Sequence, residues 1–218
     1  TKDNLKARLA YSTVSQLSYI VLGAMLASGI GSVGGAMHIA MHAFGKITLF
    51  FCAGAIMVAS HKTEISQMRG LGRKMPITFA CFLIGALSVI GLPPLGGVWS
   101  KWYLSLGAAE TGQLVFIAVF MISSLLNIAY LVPIVINGFF FAPPEESHDD
   151  HRPDELDHAA GGPGDVGGSN QWKVRGYEEA PLMCVGALTV TAVGCIVLFI
   201  YATPLYEFLS PIVRGGTP

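Results

Sequence analysis

The chain has 218 residues, of which 52% are hydrophobic and 12% charged, with a formal net charge of −1 and a mean hydropathy of +0.57. A soluble domain carries about twice that charged fraction, and so few charges do not cover the surface of a soluble globule of this size. The near-neutral balance also excludes a basic nucleic-acid-binding face, which leaves an all-α integral membrane protein with the lipid bilayer as its first partner.

Five apolar segments follow one another at about 9–29, 36–59, 77–109, 113–141 and 180–203. A bilayer core of about 30 Å needs about 20 helical residues, so four of them fit one helix each. The third would be about 50 Å long at about 1.5 Å per residue, too long for one straight span. Its middle reads Gly91-Leu92-Pro93-Pro94-Leu95-Gly96-Gly97. Two prolines remove two amide donors and the glycines relax the backbone, which predicts a helix broken at Gly91–Gly97, with arms at 77–91 and 98–109. Non-helical backbone at membrane depth survives where it is buried in protein or lines a cavity, a device of transport proteins. A proline kink in an overlong helix is the plainer alternative.

Lys2, Lys6 and Arg8 precede the first span, and Lys62, Arg69, Arg73 and Lys74 join the second to the third. The loops at 30–35 and 110–112 lack Lys and Arg. Five spans put the two basic segments on one side, which the positive-inside rule makes cytoplasmic. The connection 142–178 is then cytoplasmic too, and the C-terminus external, in a plasma (inner) membrane. The expected organisation is a four-helix region at 1–141, an acidic flexible loop at 142–178, and a final span with its tail at 179–218.

That loop holds eight acids, three His and one Arg between Pro143 and Asn170. A metal site is conceivable from such residues, but no fixed ligand spacing supports one, and a solvated loop fits the composition. Cys52, Cys81, Cys184 and Cys195 all lie in apolar runs without a CxxC pair, the pattern of small buried hydrophobes. Neither a metal nor a cofactor is expected. Phosphate-loop, dinucleotide and nucleophile-elbow motifs are lacking. Moving protons or ions is therefore the only chemistry with candidate residues. The chain opens Thr1-Lys2-Asp3-Asn4 without a signal-peptide pattern, and a piece of a longer protein is expected.

The candidates are ionisable residues inside the spans. His38, His42 and Lys46 recur every fourth residue, so they drift by only about 40° per step and form one polar stripe on an apolar helix. Lys46 lies about ten residues from either end of its span, where a lysine costs several kcal/mol unless it faces protein or water and where snorkelling to the interface is poor. Imidazoles titrate near neutrality, so the stripe can pass protons. Lys101, with Ser100, stands just beyond the break; it either faces inward or reaches the interface marked by Trp99, Trp102 and Tyr103. If it faces inward, the two lysines are coupled, because a charge on one disfavours a charge on the other. The first span is polar, with Ser12, Ser15 and Gln16, and the fourth carries Asn127 and Tyr130. These residues line a path or bond neighbouring helices.

Three blocks carry a resemblance. Leu5-Lys6-Ala7-Arg8-Leu9-Ala10-Tyr11-Ser12-Thr13-Val14-Ser15-Gln16, the helix His38-(x3)-His42-Ala43-Phe44-Gly45-Lys46-(x2)-Leu49-Phe50, and Gly91-Leu92-Pro93-Pro94-(x5)-Ser100-Lys101 resemble, in order and spacing, motifs of the antiporter-like proton-translocating membrane subunits. These occur in respiratory complex I, in membrane-bound hydrogenases and in Mrp-type multisubunit cation/proton antiporters. The resemblance covers essentially the whole chain. It implies the last five helices of a fourteen-helix fold, without the earlier half and its membrane Glu and Lys. Lys46 would be the central-axis lysine, His38 and His42 its relay partners, and Lys101 the terminal lysine near the exit. Complex I members often follow that lysine with an acid, and here Trp102 follows. With the Pro93-Pro94 pair and the acidic loop, this points toward the Mrp cation/proton antiporters and, among their antiporter-like members, toward the D type. The expected function is proton translocation in exchange for Na+ or another monovalent cation, with other membrane subunits as partners. A proton-pumping subunit of a redox-driven complex and a purely structural scaffold subunit are the alternatives.

Overall fold

The computed structural model describes residues 2–141, 173–174 and 177–214, and the described residues are helical apart from connections and one two-residue ladder. Helix α1 (Leu5–Met25) starts at Asn4, whose side chain accepts the Ala7 amide, a capping contact that satisfies one orphan donor of the first turn. Helix α2 (Gly29–Ser60) is capped likewise, by Ser28 on the Gly31 amide, and ends at His61 in the left-handed region. A 3₁₀ turn (Ile65–Met68) and the single-turn α3 (Leu71–Lys74) lead to α4 (Pro76–Ile90). Helix α5 (Gly97–Glu110) is followed by α6 (Val115–Phe140). Lys173–Val174 and Tyr177–Glu178 form a short antiparallel ladder, β1 and β2. Helices α7 (Leu182–Ile200) and α8 (Ala202–Arg214) follow.

Helices α2, α6 and α7 are each long and apolar enough to cross a membrane. Helix α2 is the hub, packed against α1, α4, α5, α7 and α8. Its second half joins α4, α6 and α7 in the main apolar cluster around Leu49, Ile56, Phe79, Phe82 and Leu188. Its first half meets α5 and α8 through Met37, Met41, Trp99 and Leu205.

The break in the third segment falls where the prolines and glycines predict it: α4 stops at Ile90, Gly91 takes φ +86°, and α5 starts at Gly97. The amides that would close helical bonds to Val89 and Ile90 belong to Pro93 and Pro94, which have none to give. The two arms stay close, because a Cβ on Gly97 would overlap the Ser88 carbonyl oxygen.

One expectation needs correction. Residues 30–35 are not a loop; they are the first turns of α2, and the connection is confined to 26–28. The glycines there weaken a helix taken alone, yet they allow the close packing of α1, α2 and α5. A Cβ on Gly23 would stand 2.9 Å from the Gly31 carbonyl oxygen, and one on Gly107 would stand 2.5 Å from the Gly31 Cα. Small residues at such crossings are the membrane-helix packing device. Beyond the last span, the expected tail contains the separate helix α8, which folds back onto α2 and α5, its Tyr206 ring stacked on Tyr103 at 4.7 Å.

One end of the bundle gathers the start of α1, the 61–75 connection, the end of α6 and the start of α7. The Leu5 amide donates to the Thr63 carbonyl, the Gly70 amide to the Asn137 carbonyl, and the Ile77 amide to the Glu179 carboxylate. Lys2, Lys6, Arg8, Lys62, Arg69, Arg73 and Lys74 lie at this basic end. Glu179 is buried and also accepts the Thr78 hydroxyl at 2.7 Å, so a carboxylate sits at the N-terminus of α4, where the helix dipole favours it. The His- and acid-rich stretch at 145–158, where a metal site is conceivable but not expected, lies outside the described residues, as does most of the expected 142–178 loop.

Candidate functional site

The stripe predicted on α2 is present and turned inward: His38, His42 and Lys46 are all buried. Lys46 packs against α1. Its ammonium donates to the Ser12 hydroxyl at 2.6 Å and to the Leu9 carbonyl at 3.2 Å. Ser12 is hydrogen-bonded in turn to the Tyr130 hydroxyl, which donates to the Asn127 side-chain oxygen on α6. Lys46 gives a proton into Ser12 and Tyr130 gives one out to Asn127, so Ser12 is the donor to Tyr130. Every hydroxyl in this chain accepts one bond and makes one, the arrangement a proton relay needs.

Two turns earlier along the stripe the partner changes. The His38 Nδ1 is 2.9 Å from the Ser100 hydroxyl, which itself donates to the Gly97 carbonyl at 3.1 Å. Ser100 is therefore the acceptor, Nδ1 carries hydrogen, and the neutral ring keeps its Nε2 lone pair for another proton. The His38 and His42 rings lie nearly parallel, 5.7 Å apart between centroids. Neither His38 Nε2 nor His42 Nδ1 has a protein partner among the described residues.

Lys101 faces inward, only 9% exposed, which excludes the interfacial alternative. Its ammonium donates to the Ile90 carbonyl at 2.7 Å and to the Ser124 hydroxyl at 3.0 Å. The Ile90 carbonyl is one of those the prolines leave without an amide, and it stands at the negative end of α4's dipole. Gly91 is required beside it, since a Cβ there would sit 2.9 Å from the Lys101 Cδ, on a backbone of φ +86°.

The structure brings Lys46, Ser12, Tyr130 and Asn127 into one network and His38, Ser100 and Lys101 to the broken helix. It does not bring in Ser15, which lies on the exposed face of α1. Gln16 is fully buried, and neither of its amide atoms bonds protein among the described residues. Tyr19 is a member the sequence reading passes over. Its ring centroid is 5.3 Å from that of His38 and 5.2 Å from the Lys101 ammonium, so it bridges these two ionisable groups beside the broken helix and supplies a cation–π contact. Its place seven residues beyond Ser12, on the buried stripe of α1, is the only signal the sequence holds for it. Among the described residues no group of three His, Cys, Asp or Glu is placed to hold a metal.

Three cavities follow α6. One of about 290 Å³ lies between Arg8, Ser12 and Tyr130. A second, of about 190 Å³, shares Ser15 with it. A third, of about 330 Å³, shares Phe120 with the second and reaches Lys101 and Ser124.

Residues 1–127 match the family described as "NADH:quinone oxidoreductase/Mrp antiporter, TM". NADH-quinone oxidoreductase subunit N of Desulforudis audaxviator (strain MP104C) is 41% identical over 145 residues, 66% of this chain and 29% of that protein. NAD(P)H-quinone oxidoreductase chain 5 of Synechocystis sp. is 43% identical over 111 residues, 46% of this chain and 16% of that protein. The chain thus spans less than a third of these relatives' length. Among solved structures, a chain of the Mrp complex from Dietzia sp. DQ12-45-1b superposes with a TM-score of 0.80 at 25% identity, over 98% of this chain and 43% of its own. A chain of respiratory complex I from Thermus thermophilus gives 0.71 at 20% identity, over 98% and 39%.

Proposed function

The chain belongs to the NADH:quinone oxidoreductase/Mrp antiporter transmembrane family, and from that premise we propose that it is a proton-translocating part of a multisubunit membrane complex. Lys46 stores and relays the proton. His42 and His38 continue the path along α2, Ser100 links His38 to the broken helix, and Lys101 is the terminal site. The observation that carries this reading is the burial of two lysines without a carboxylate partner among the described residues, each bonded to a hydroxyl and a carbonyl. An ionisable group at that depth is expensive and earns its place by function. The basic end faces the cytoplasm on the positive-inside rule, which puts the last span's far end outside.

We further propose that proton movement is exchanged for Na+ or another monovalent cation. The fit to a chain of the Mrp complex over nearly the whole length supports this. A second reading, in which redox chemistry in neighbouring subunits drives the same path, is supported by the names of the curated relatives.

The test uses inside-out vesicles bearing the complex. A preformed pH gradient is challenged with a pulse of Na+. Collapse in the wild type and its loss in Lys46→Ala, with the complex still assembled, is expected. A response to NADH, ferredoxin or hydrogen but to no monovalent cation would replace the antiport reading by the redox-driven one. Full activity in Lys46→Ala would remove the relay.

A further inference from the structure

The cavity between α1 and α6 has no place in the axis just described, yet it touches that axis at two residues. Its walls are Lys2, Arg8, Tyr11, Ser12, Ser15 and Tyr130. Ser12 and Tyr130 are the two hydroxyls that follow Lys46 in its hydrogen-bonded chain. Arg8 spans the cavity's basic-end side: its Nε donates to the Lys2 carbonyl at 2.9 Å and its Nη1 to the Tyr130 carbonyl at 3.3 Å. A single side chain therefore ties the start of α1 to α6, and holds the backbone of the tyrosine whose hydroxyl the relay uses.

We propose that this cavity is an aqueous port through which Lys46 exchanges protons with the basic end of the bundle, and that Arg8 is its positioning residue and electrostatic filter. The proposal deepens the relay reading and rests on it. When Lys46 is neutral, its nitrogen accepts a proton from Ser12, Ser12 takes one from Tyr130, and Tyr130 takes one from water in the cavity. The O–H bond of that water breaks, a new N–H bond forms on Lys46, and hydroxide leaves past Arg8 and Lys2. Both hydroxyls end as they began, with their bonds reversed. The fixed cations at the rim favour the departing anion and disfavour a metal cation, as a basic residue does at a selective pore. The metal ion of an exchange cycle then uses another route.

The test places a cysteine in the port, Ser15→Cys, in the full complex in vesicles, with the wild type giving the background of the native cysteines. Two membrane-impermeant methanethiosulfonates, one anionic and one cationic, are added from either face. Labelling is expected only from the face of the basic end, about tenfold faster with the anionic reagent. Arg8→Gln is expected to abolish that preference. The labelled variant is expected to lose most of its proton flux relative to the same variant unlabelled. Protection from both reagents at that face, a charge preference that survives Arg8→Gln, or undiminished flux in labelled vesicles would overturn the port. Labelling rates do not involve Lys46, so loss of labelling counts against the port alone, whereas flux surviving Lys46→Ala counts against the relay.

Discussion

The two buried lysines have the same kinds of partner, one serine hydroxyl and one backbone carbonyl, but in opposite order of closeness. Lys46 is 2.6 Å from Ser12 and 3.2 Å from the Leu9 carbonyl, whereas Lys101 is 2.7 Å from the Ile90 carbonyl and 3.0 Å from Ser124. The cause is local backbone. Leu9 lies inside α1, and its carbonyl already accepts the Thr13 hydroxyl. Ile90 ends α4, and Pro94 stands where its amide partner would be. A carbonyl receives a hydrogen bond but passes no proton on, whereas a hydroxyl does both. On the proposed path, Lys46 is then the site that exchanges readily, and Lys101 the terminal site that holds its proton against a helix end before passing it on.

Substitutions can break or sharpen that contrast. The largest effect is expected from Gly97→Ala, whose Cβ would overlap the Ser88 carbonyl oxygen. Forcing α4 and α5 apart by overpacking costs about 3 kcal/mol, and the yield of assembled complex on gel filtration should collapse. Gly91→Ala is expected to be milder. Its left-handed backbone costs about 1–2 kcal/mol with a Cβ, and the new methyl presses on Lys101; the complex should assemble while proton flux falls. Ser12→Ala removes the hydroxyl nearest Lys46, a bond to a charged group worth about 1.5–3 kcal/mol, and flux should drop about tenfold or more at unchanged assembly. Ser124→Ala should be the smallest, about twofold, because the Ile90 carbonyl still holds Lys101. A Ser124→Ala defect as large as that of Ser12→Ala in the same flux assay would erase the contrast.

How much of this is readable from the letters depends on the range of the physics. The break at Gly91–Gly97 is legible because missing amides and positive φ are local properties. The stripe of His38, His42 and Lys46 is legible because helical periodicity fixes a face. The first turns of α2 are not, since helix propensity at glycine is poor and the close packing on Gly23 and Gly107 that favours the helix there is a tertiary property. Helix α8 escapes for a related reason: it is short, and its place is set by Met37, Met41 and Tyr103. In the site, Ser12, Asn127 and Tyr130 can be named from sequence, but their order in one chain of bonds requires α1 and α6 in space. Ser15 is three residues from Ser12 and faces away from the relay, while Tyr19, seven residues on, shares its face.

The central claim is that Lys46 gives up and regains a proton, and does not merely supply a fixed charge. Lys46→Arg tests it most directly, because a guanidinium keeps the positive charge and does not release its proton. The measurement is collapse of a preformed pH gradient in vesicles bearing the complex, driven by the cation or electron donor that works for the wild type. The account predicts an assembled complex with proton flux lost as completely as in Lys46→Ala. Flux at the wild-type rate in Lys46→Arg would contradict it.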